Sequence, residues 1–234
     1  MQPFATVEFF SKQLARSESG LIAAKASGNY QLLAFNIRQM FKARLMQGLV
    51  TWRVGENPRT ILESAVDTAL ENAAMLTKLN PNARINIDLL FERVKIIGFL
   101  IGKPIELLIN SSDFEAPDKK LDCLLASALN AEYYENEIEA EIVKLSQIKG
   151  GDLAARSYQT YFDILDLSSK NRSVAGLVNQ AEKLFAGRSS DGFYAGGEQT
   201  EGGGLDNSLV VDYRLAAVLK KAESMEVGVH SWRW

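Results

Sequence analysis

The sequence predicts an all-α protein, a compact antiparallel array of about eight to ten helices. Apolar residues recur at three- to four-residue spacing along the whole chain, whereas the alternation of apolar and polar residues typical of strands is nearly absent. The connections between the periodic segments are short enough to make consecutive helices antiparallel neighbours. No repeat recurs in register along the sequence, so the question of whether the helix pairs stack as in helical-repeat proteins stays open.

The first half of the chain contains three long predicted helices and two shorter ones. The first follows Pro3 and ends near residue 26. Asn29 is a suitable N-cap for the second helix, which ends before Gly55 and Pro58. The other three helices of this half are predicted at residues 59–79, 86–100 and 104–110.

The second half is also helical, with one exception. Its predicted helices are residues 118–149, with a division near Tyr133 as an option, and residues 152–167, 172–186 and 206–223. Between the last two lies the exception, residues 187–205, where seven glycines indicate a flexible loop. We expect a single domain over residues 1–234 that includes this loop.

The composition is typical of a globular chain with a substantial core, since 47% of residues are hydrophobic and 24% are charged. No apolar run approaches the ~18–20 residues that a membrane-spanning helix needs. The N-terminal residues lack the basic start, apolar run and cleavage site of a secretory signal. We therefore expect a cytoplasmic protein with no membrane partner.

Single cysteine and histidine residues limit the available chemistry. Cys123 and His230 are the only residues of their types, which excludes multi-cysteine zinc sites and intramolecular disulfides. A nucleophile activated by histidine would have to recruit His230, and the Glu-x-x-His element of two-metal helical bundles is absent. No catalytic residue, metal ligand or cofactor is predicted, although an all-carboxylate Mg²⁺ or Ca²⁺ site stays open.

Charge is distributed unevenly along the chain. Residues 1–60 contain eight Lys or Arg against three Glu, and residues 112–141 contain nine carboxylates against two lysines. Cations beside aromatic residues on the second helix, such as Arg38 and Phe41, are compatible with nucleic-acid contact. A sequence pI of about 5.4 and the lack of a recognition motif argue against it, so we expect no nucleic-acid partner.

The acidic segment places carboxylates on one helical face. Glu132, Glu135 and Glu139 are spaced i, i+3 and i+7, and Tyr133 and Tyr134 lie beside them. Like charges in this arrangement repel one another, so a basic partner would relieve the repulsion and be attracted by electrostatic steering. These five residues are therefore candidate partner-binding residues, with a solvated helix face as the alternative.

Two charges near the first turns of the last predicted helix, Asp212 and Arg214, are also candidate partner-binding residues. An Asp at this position favours the positive end of the helix dipole. The alternative role for both is structural, as a helix cap and a member of an ion pair.

Residues 202–219, with the sequence GGGLDNSLVVDYRLAAVL, resemble the closing helix of bacterial all-helical immunity proteins of polymorphic toxin systems, in particular the immunity protein 49 family. A tyrosine-rich helix around residues 158–162 and the Gly-rich loop before the last helix are similar in arrangement. The resemblance covers the C-terminal part of the chain and extends to the rest only through helical character. It implies a cytoplasmic protein without catalytic residues that binds and neutralises a cognate toxin.

The leading functional hypothesis is a non-catalytic immunity or inhibitor protein that contacts the basic surface of a toxin through the acidic segment, residues 113–141. Two alternatives from other classes stay open: a helical scaffold or adaptor protein, and an enzyme that uses carboxylates and a divalent ion. A toxin reading frame directly upstream would favour the first hypothesis, and a metabolic operon would favour the enzyme.

Overall fold

The structure, a computed structural model, describes residues 7–103, 105–106, 109–130, 135–169, 175–187, 199–200, 203–204 and 211–224. Within these ranges the secondary structure is helical apart from one pair of two-residue strands, which confirms the predicted all-α class. The chain divides into two compact units, unit 1 (Met1–Ile109) and unit 2 (Asn110–Trp234). The single domain expected for residues 1–234 stays a prediction.

Unit 1 is built on three long helices, α1 (Val7–Ser27), α2 (Tyr30–Arg53) and α3 (Arg59–Leu79). Gly28 and Gly55 lie in the short connections with φ values of 64° and 88°, which glycine adopts at low cost. The short connections make the helices antiparallel, and α2 packs on both α1 and α3. At Gly48 the helices α2 and α3 are very close, since a Cβ there would lie 2.5 Å from Leu62 Cδ2.

The start of α2 follows the predicted capping pattern. The Asn29 side chain accepts a hydrogen bond from the Leu32 amide (3.1 Å) and so satisfies a backbone donor in the first turn of α2. Helix α3 has the predicted bounds and follows Pro58, whose fixed φ suits this position. Capping by Asn29 therefore marks the start of α2, whereas α3 begins after a proline and without a side-chain cap.

The predicted helix 86–100 is in fact two helices, α4 (Ile85–Asp88) and α5 (Phe91–Ile101). Leu90 lies between them with φ of 57°, a left-handed conformation that interrupts an α-helix and is unfavourable for Leu. Its side chain and that of Leu89 are buried, which offsets this cost. In the predicted helix 104–110, residues 105–106 and 109–110 are not helical, and the others lie outside the described residues.

In the part of unit 2 that the structure describes, a 3₁₀ turn is followed by five α-helices. The turn is Ser111–Asp113, and the helices are α6 (Pro117–Leu129), α7 (Glu135–Gln147), α8 (Asp152–Ser169), α9 (Ala175–Gly187) and α10 (Tyr213–Ser224). Helix α8 is central, because α6, α7, α9 and α10 all contact it. Helix α7 also packs on α6, and so does α10.

Three predictions for unit 2 differ from the structure or fall outside it. The segment 118–149 forms α6 and α7, and residues 131–134 between them lie outside the described part of the chain. The last helix begins at Tyr213, after residues 206–210, which are also outside it. The loop 187–205 is mostly outside as well, although β1 (Gln199–Thr200) and β2 (Gly203–Gly204) within it form an antiparallel pair.

Each unit has its own apolar core. The fully buried side chains of unit 1 include Leu33, Ile37, Phe41, Leu62, Val66 and Ile97, and those of unit 2 include Leu121, Leu125, Tyr161, Ile164, Leu215 and Leu219. None of the helices in the described ranges combines the length and the hydropathy needed to cross a bilayer. The repeat-like stacking of helix pairs stays a prediction.

Candidate partner-binding surface and buried polar cluster

Helix α7 has a buried inner side and an exposed outer side. The inner side consists of Ile138, Glu141 and Leu145, spaced i, i+3 and i+7, and all three are buried where α7 packs on α6 and α8. The outer side carries Glu139 and, one turn later, Val143, which is 54% exposed. Ile148, just after the helix, is 39% exposed. We call Glu139 and Val143 the outer face of α7.

The inner side is held by polar bonds as well as by packing. The buried Glu141 carboxylate accepts hydrogen bonds from Lys120 of α6 (3.3 Å) and from Lys144 of α7 itself (2.6 Å). Near the start of the helix, the Ser111 hydroxyl donates to the Glu137 carboxylate. Because these contacts join α7 to α6 and to the 3₁₀ turn, the orientation of the outer face is set by the rest of unit 2.

The structure describes the side chain of only one of the five candidate partner-binding residues of the acidic segment. Glu139 is exposed on the outer face of α7. Glu135 is the first residue of α7, and its side chain is not described. Glu132, Tyr133 and Tyr134 lie outside the described residues. Val143, the exposed apolar residue one turn after Glu139, was not predicted as part of the surface.

The acidic segment is not exposed along its whole length. Asp118, Asp122 and Glu141 are among its nine carboxylates and are all buried. Burial without compensation would be costly for a charge, and both Asp122 and Glu141 have cationic partners within unit 2. The negative charge available to a partner is therefore smaller than the residue count indicates.

Five polar residues from three helices meet inside unit 2. We call them the buried cluster: Asp122 of α6, Tyr158 and Tyr161 of α8, Asp212, and Arg214 of α10. Arg214 forms a bidentate ion pair with Asp122, its Nε donating to Oδ1 and its Nη2 to Oδ2, each at 2.6 Å. The Tyr158 hydroxyl also donates to Asp122 Oδ1 (2.6 Å). The cluster thus connects α6, α8 and α10 through directional bonds.

Asp212 is the cap of α10. Its Oδ1 accepts from the backbone amides of Arg214 (3.1 Å) and Leu215 (3.3 Å), and its Oδ2 accepts from the Tyr161 hydroxyl. The carboxylate therefore satisfies helix donors and also ties the start of α10 to α8. The structure therefore places both residues in the structural roles that were the alternative to partner binding: Asp212 caps a helix and Arg214 is a member of an ion pair. Both side chains are buried and neither is exposed to a partner.

The environment of the cluster changes the acidity of its members. Burial raises the pKa of the Tyr158 hydroxyl well above its ordinary value, because a phenolate would lose its hydration; Asp122 acts in the same direction and Arg214 in the opposite one. Burial by itself would lower the pKa of Arg214. The adjacent Asp122 carboxylate has the opposite effect, and the resulting pKa is above the ordinary value. Tyr158 therefore stays neutral and Arg214 stays charged.

Aromatic rings complete the surroundings of Arg214. Its guanidinium carbon lies 4.6 Å from the centroid of the Tyr213 ring and 5.9 Å from that of Tyr158, within the range of cation–π attraction. A sequence signal for the cluster existed: Asp122 lies among apolar residues of α6, and Arg214 lies in the apolar stripe of α10. Opposite charges in two otherwise apolar stripes indicate a buried pair, but the sequence alone does not show which helices face each other.

Within the described part of the chain, no group of three or more His, Cys, Asp or Glu side chains is placed to hold a metal ion. Comparison with protein-family models, with curated proteins and with solved structures gave no match. The resemblance to all-helical immunity proteins therefore depends on the residues of the C-terminal segment alone.

Proposed function

We propose that this protein is a non-catalytic immunity or inhibitor protein that neutralises a cognate bacterial toxin by direct contact, and that the outer face of α7 is part of the contact surface. The observation that carries the proposal is the combination of the exposed Glu139 carboxylate with the half-exposed Val143 on one side of a helix whose other side is firmly held. The class of partner comes from the resemblance of residues 202–219 to immunity proteins.

This surface has two properties that favour protein binding. Glu139 makes no ion pair with the described residues, so its charge is available to attract a basic partner. Val143 is an apolar side chain that loses contact with water when a partner covers it, which is favourable by ~25 cal/mol per Å². Since α7 is held by Glu141 and by its apolar inner side, binding requires little ordering of the helix.

The test uses the full chain and the product of the reading frame directly upstream, which the proposal expects to encode the toxin. Glu139→Lys should slow association, because it reverses a charge that steers a basic partner, and Val143→Gln should speed dissociation, because it removes apolar contact. Matched controls are Glu182→Lys on the exposed side of α9 and Val54→Gln, an apolar residue that is 68% exposed in unit 1. Binding kinetics and protection of cells that express the toxin are the two readouts.

The proposal predicts that both α7 variants lose affinity and protection while both controls keep them. If Glu139→Lys and Val143→Gln bind the toxin with parental rate constants and protect cells fully, the contact surface is elsewhere. If the neighbouring gene product has no toxicity that this protein relieves, the immunity function itself is refuted.

A further inference from the structure

Four of the large apolar side chains exposed in unit 1 lie at one end of its helices. They are Ile22 (72% exposed), Leu32 (50%), Phe35 (48%) and Leu79 (45%). Ile22 precedes the end of α1 by five residues and Phe35 follows the start of α2 by five, which is about 8 Å along each helix. Leu79 is the last residue of α3.

The antiparallel packing brings these positions to the same end. A Cβ at Gly20 of α1 would meet Asn36 of α2, which shows that the end of α1 lies beside the start of α2. Late in α2, Gly48 meets Leu62 of α3, and the Arg44 guanidinium donates to the Thr68 hydroxyl further along α3. Since α3 continues in that direction, its end also lies beside the start of α2.

The charges at this end are almost all positive. Lys25 and Lys78 are exposed in the last turns of α1 and α3, and Arg38 lies one turn after Phe35, with its guanidinium carbon 5.9 Å from the ring centroid. Residues 19–55 and 72–87 contain no Asp or Glu. In the described structure, two carboxylates stand near this end and both are bonded: Asp88, whose Oδ2 accepts a hydrogen bond from the Tyr30 hydroxyl (2.5 Å), and Glu18, one turn before Ile22, which pairs with Arg44 (3.5 Å). We call Ile22, Lys25, Leu32, Phe35, Lys78 and Leu79 the basic apolar end.

We propose that the basic apolar end docks on the surface of an anionic lipid bilayer. Apolar side chains that enter the headgroup region together with cations that meet anionic headgroups are the two contributions that peripheral membrane binding combines. A second copy of the chain is disfavoured, because like cations would face each other. A partner helix is disfavoured as well, because the apolar residues come from the ends of three helices and do not form one continuous row of anchors.

This inference replaces the expectation from the sequence that the protein has no membrane partner; it concerns unit 1 and is independent of the partner of α7. The test is flotation of the full chain with vesicles of phosphatidylcholine alone and of phosphatidylcholine mixed with phosphatidylglycerol. The parent protein should bind only the anionic vesicles, and added salt should weaken binding because it screens the cations. Lys25→Gln with Lys78→Gln should lower the partition coefficient about thirtyfold, which corresponds to the loss of about 2 kcal/mol for two cations.

Two matched variants separate this surface from general charge and hydropathy. Lys12→Gln with Arg59→Gln changes the net charge equally but lies near the starts of α1 and α3, at the other end of these helices, and should alter binding less than about threefold, since lipid attraction acts only within about a Debye length. Leu32→Gln with Phe35→Gln should lower the partition coefficient about tenfold or more, whereas Val54→Gln should not. Leu32, Phe35 and Val54 are all exposed, and circular dichroism checks that each variant remains helical.

Three outcomes would overturn the proposal. The first is absence of binding to anionic vesicles at low salt. The second is an equal loss of binding in the control variants, which would mean that charge or hydropathy acts without regard to position. The third is a dimer in analytical ultracentrifugation that Leu32→Gln with Phe35→Gln abolishes, because the surface would then belong to an interface between copies of the chain.

Discussion

The buried ion pair between Asp122 and Arg214 allows a quantitative prediction about the stability of unit 2. Both side chains are nearly inaccessible, at 1% and 3% of their exposed area, so removing either one leaves a buried charge without its main partner. Such a loss costs about 3–5 kcal/mol of the free energy of unfolding. For a unit of this size, that corresponds to a fall in the melting temperature of roughly 10–20 °C. We expect this loss for Asp122→Leu and for Arg214→Met separately.

The double variant is the decisive one. Replacing both residues by Leu and Met removes both charges and leaves apolar groups, which is often close to neutral for stability. The Tyr158 hydroxyl would keep an acceptor, because the Asp118 carbonyl oxygen lies 3.3 Å away. The double variant should therefore be more stable than either single variant, with a coupling energy of about 2 kcal/mol or more.

Urea unfolding followed by far-ultraviolet circular dichroism measures these free energies, and the slope with urea shows whether the unfolded state has changed. The control is Arg156→Met, because Arg156 pairs with Asp152 at 3.8 Å on the exposed surface of the same unit, and surface pairs contribute about 0–1 kcal/mol. The reasoning is refuted if Asp122→Leu and Arg214→Met cost no more than this control. It is also refuted if the costs of the two single variants simply add in the double variant.

Three further predictions follow from the same structure. Because burial raises the pKa of Tyr158, the unfolded chain loses this proton above about pH 10 while the folded chain keeps it. The folded state is therefore destabilised as pH rises above that value. In urea titrations, the stability advantage of the parent protein over Tyr158→Phe should shrink by about 1.4 kcal/mol per pH unit. Asp212→Ala should lower the free energy of unfolding by about 1–2 kcal/mol, and Asp212→Ser by less, since serine can still cap α10; equal losses would contradict the capping role. Gly48→Ala should destabilise unit 1 by about 1–3 kcal/mol, because the new Cβ would collide with Leu62 of α3. The control Gly176→Ala in α9 meets no atom within 4 Å and should be neutral or stabilising. Thermal unfolding compares the two variants, and equal effects would contradict the close packing at Gly48.

The sequence by itself determined the class of the fold and the positions of the long helices of unit 1. Asn29 as a cap, the glycines in the turns and Pro58 before α3 act through contacts within a few residues, so they can be recognised without knowledge of the rest of the chain. The break at Leu90 was not predictable in this way. Its unfavourable backbone conformation is offset by burial of its side chain, which depends on packing against distant residues.

The candidate surface shows the same division. Spacing along a helix correctly indicated that Glu139 is exposed, but it also counted Asp122 and Glu141 as part of an acidic surface. Only the tertiary structure decided that these two carboxylates are buried, because their partners Arg214 and Lys120 come from other helices, with Arg214 92 residues away along the chain. Local periodicity determines which residues share a face of one helix, whereas the pairing of buried charges is determined by which helices pack together.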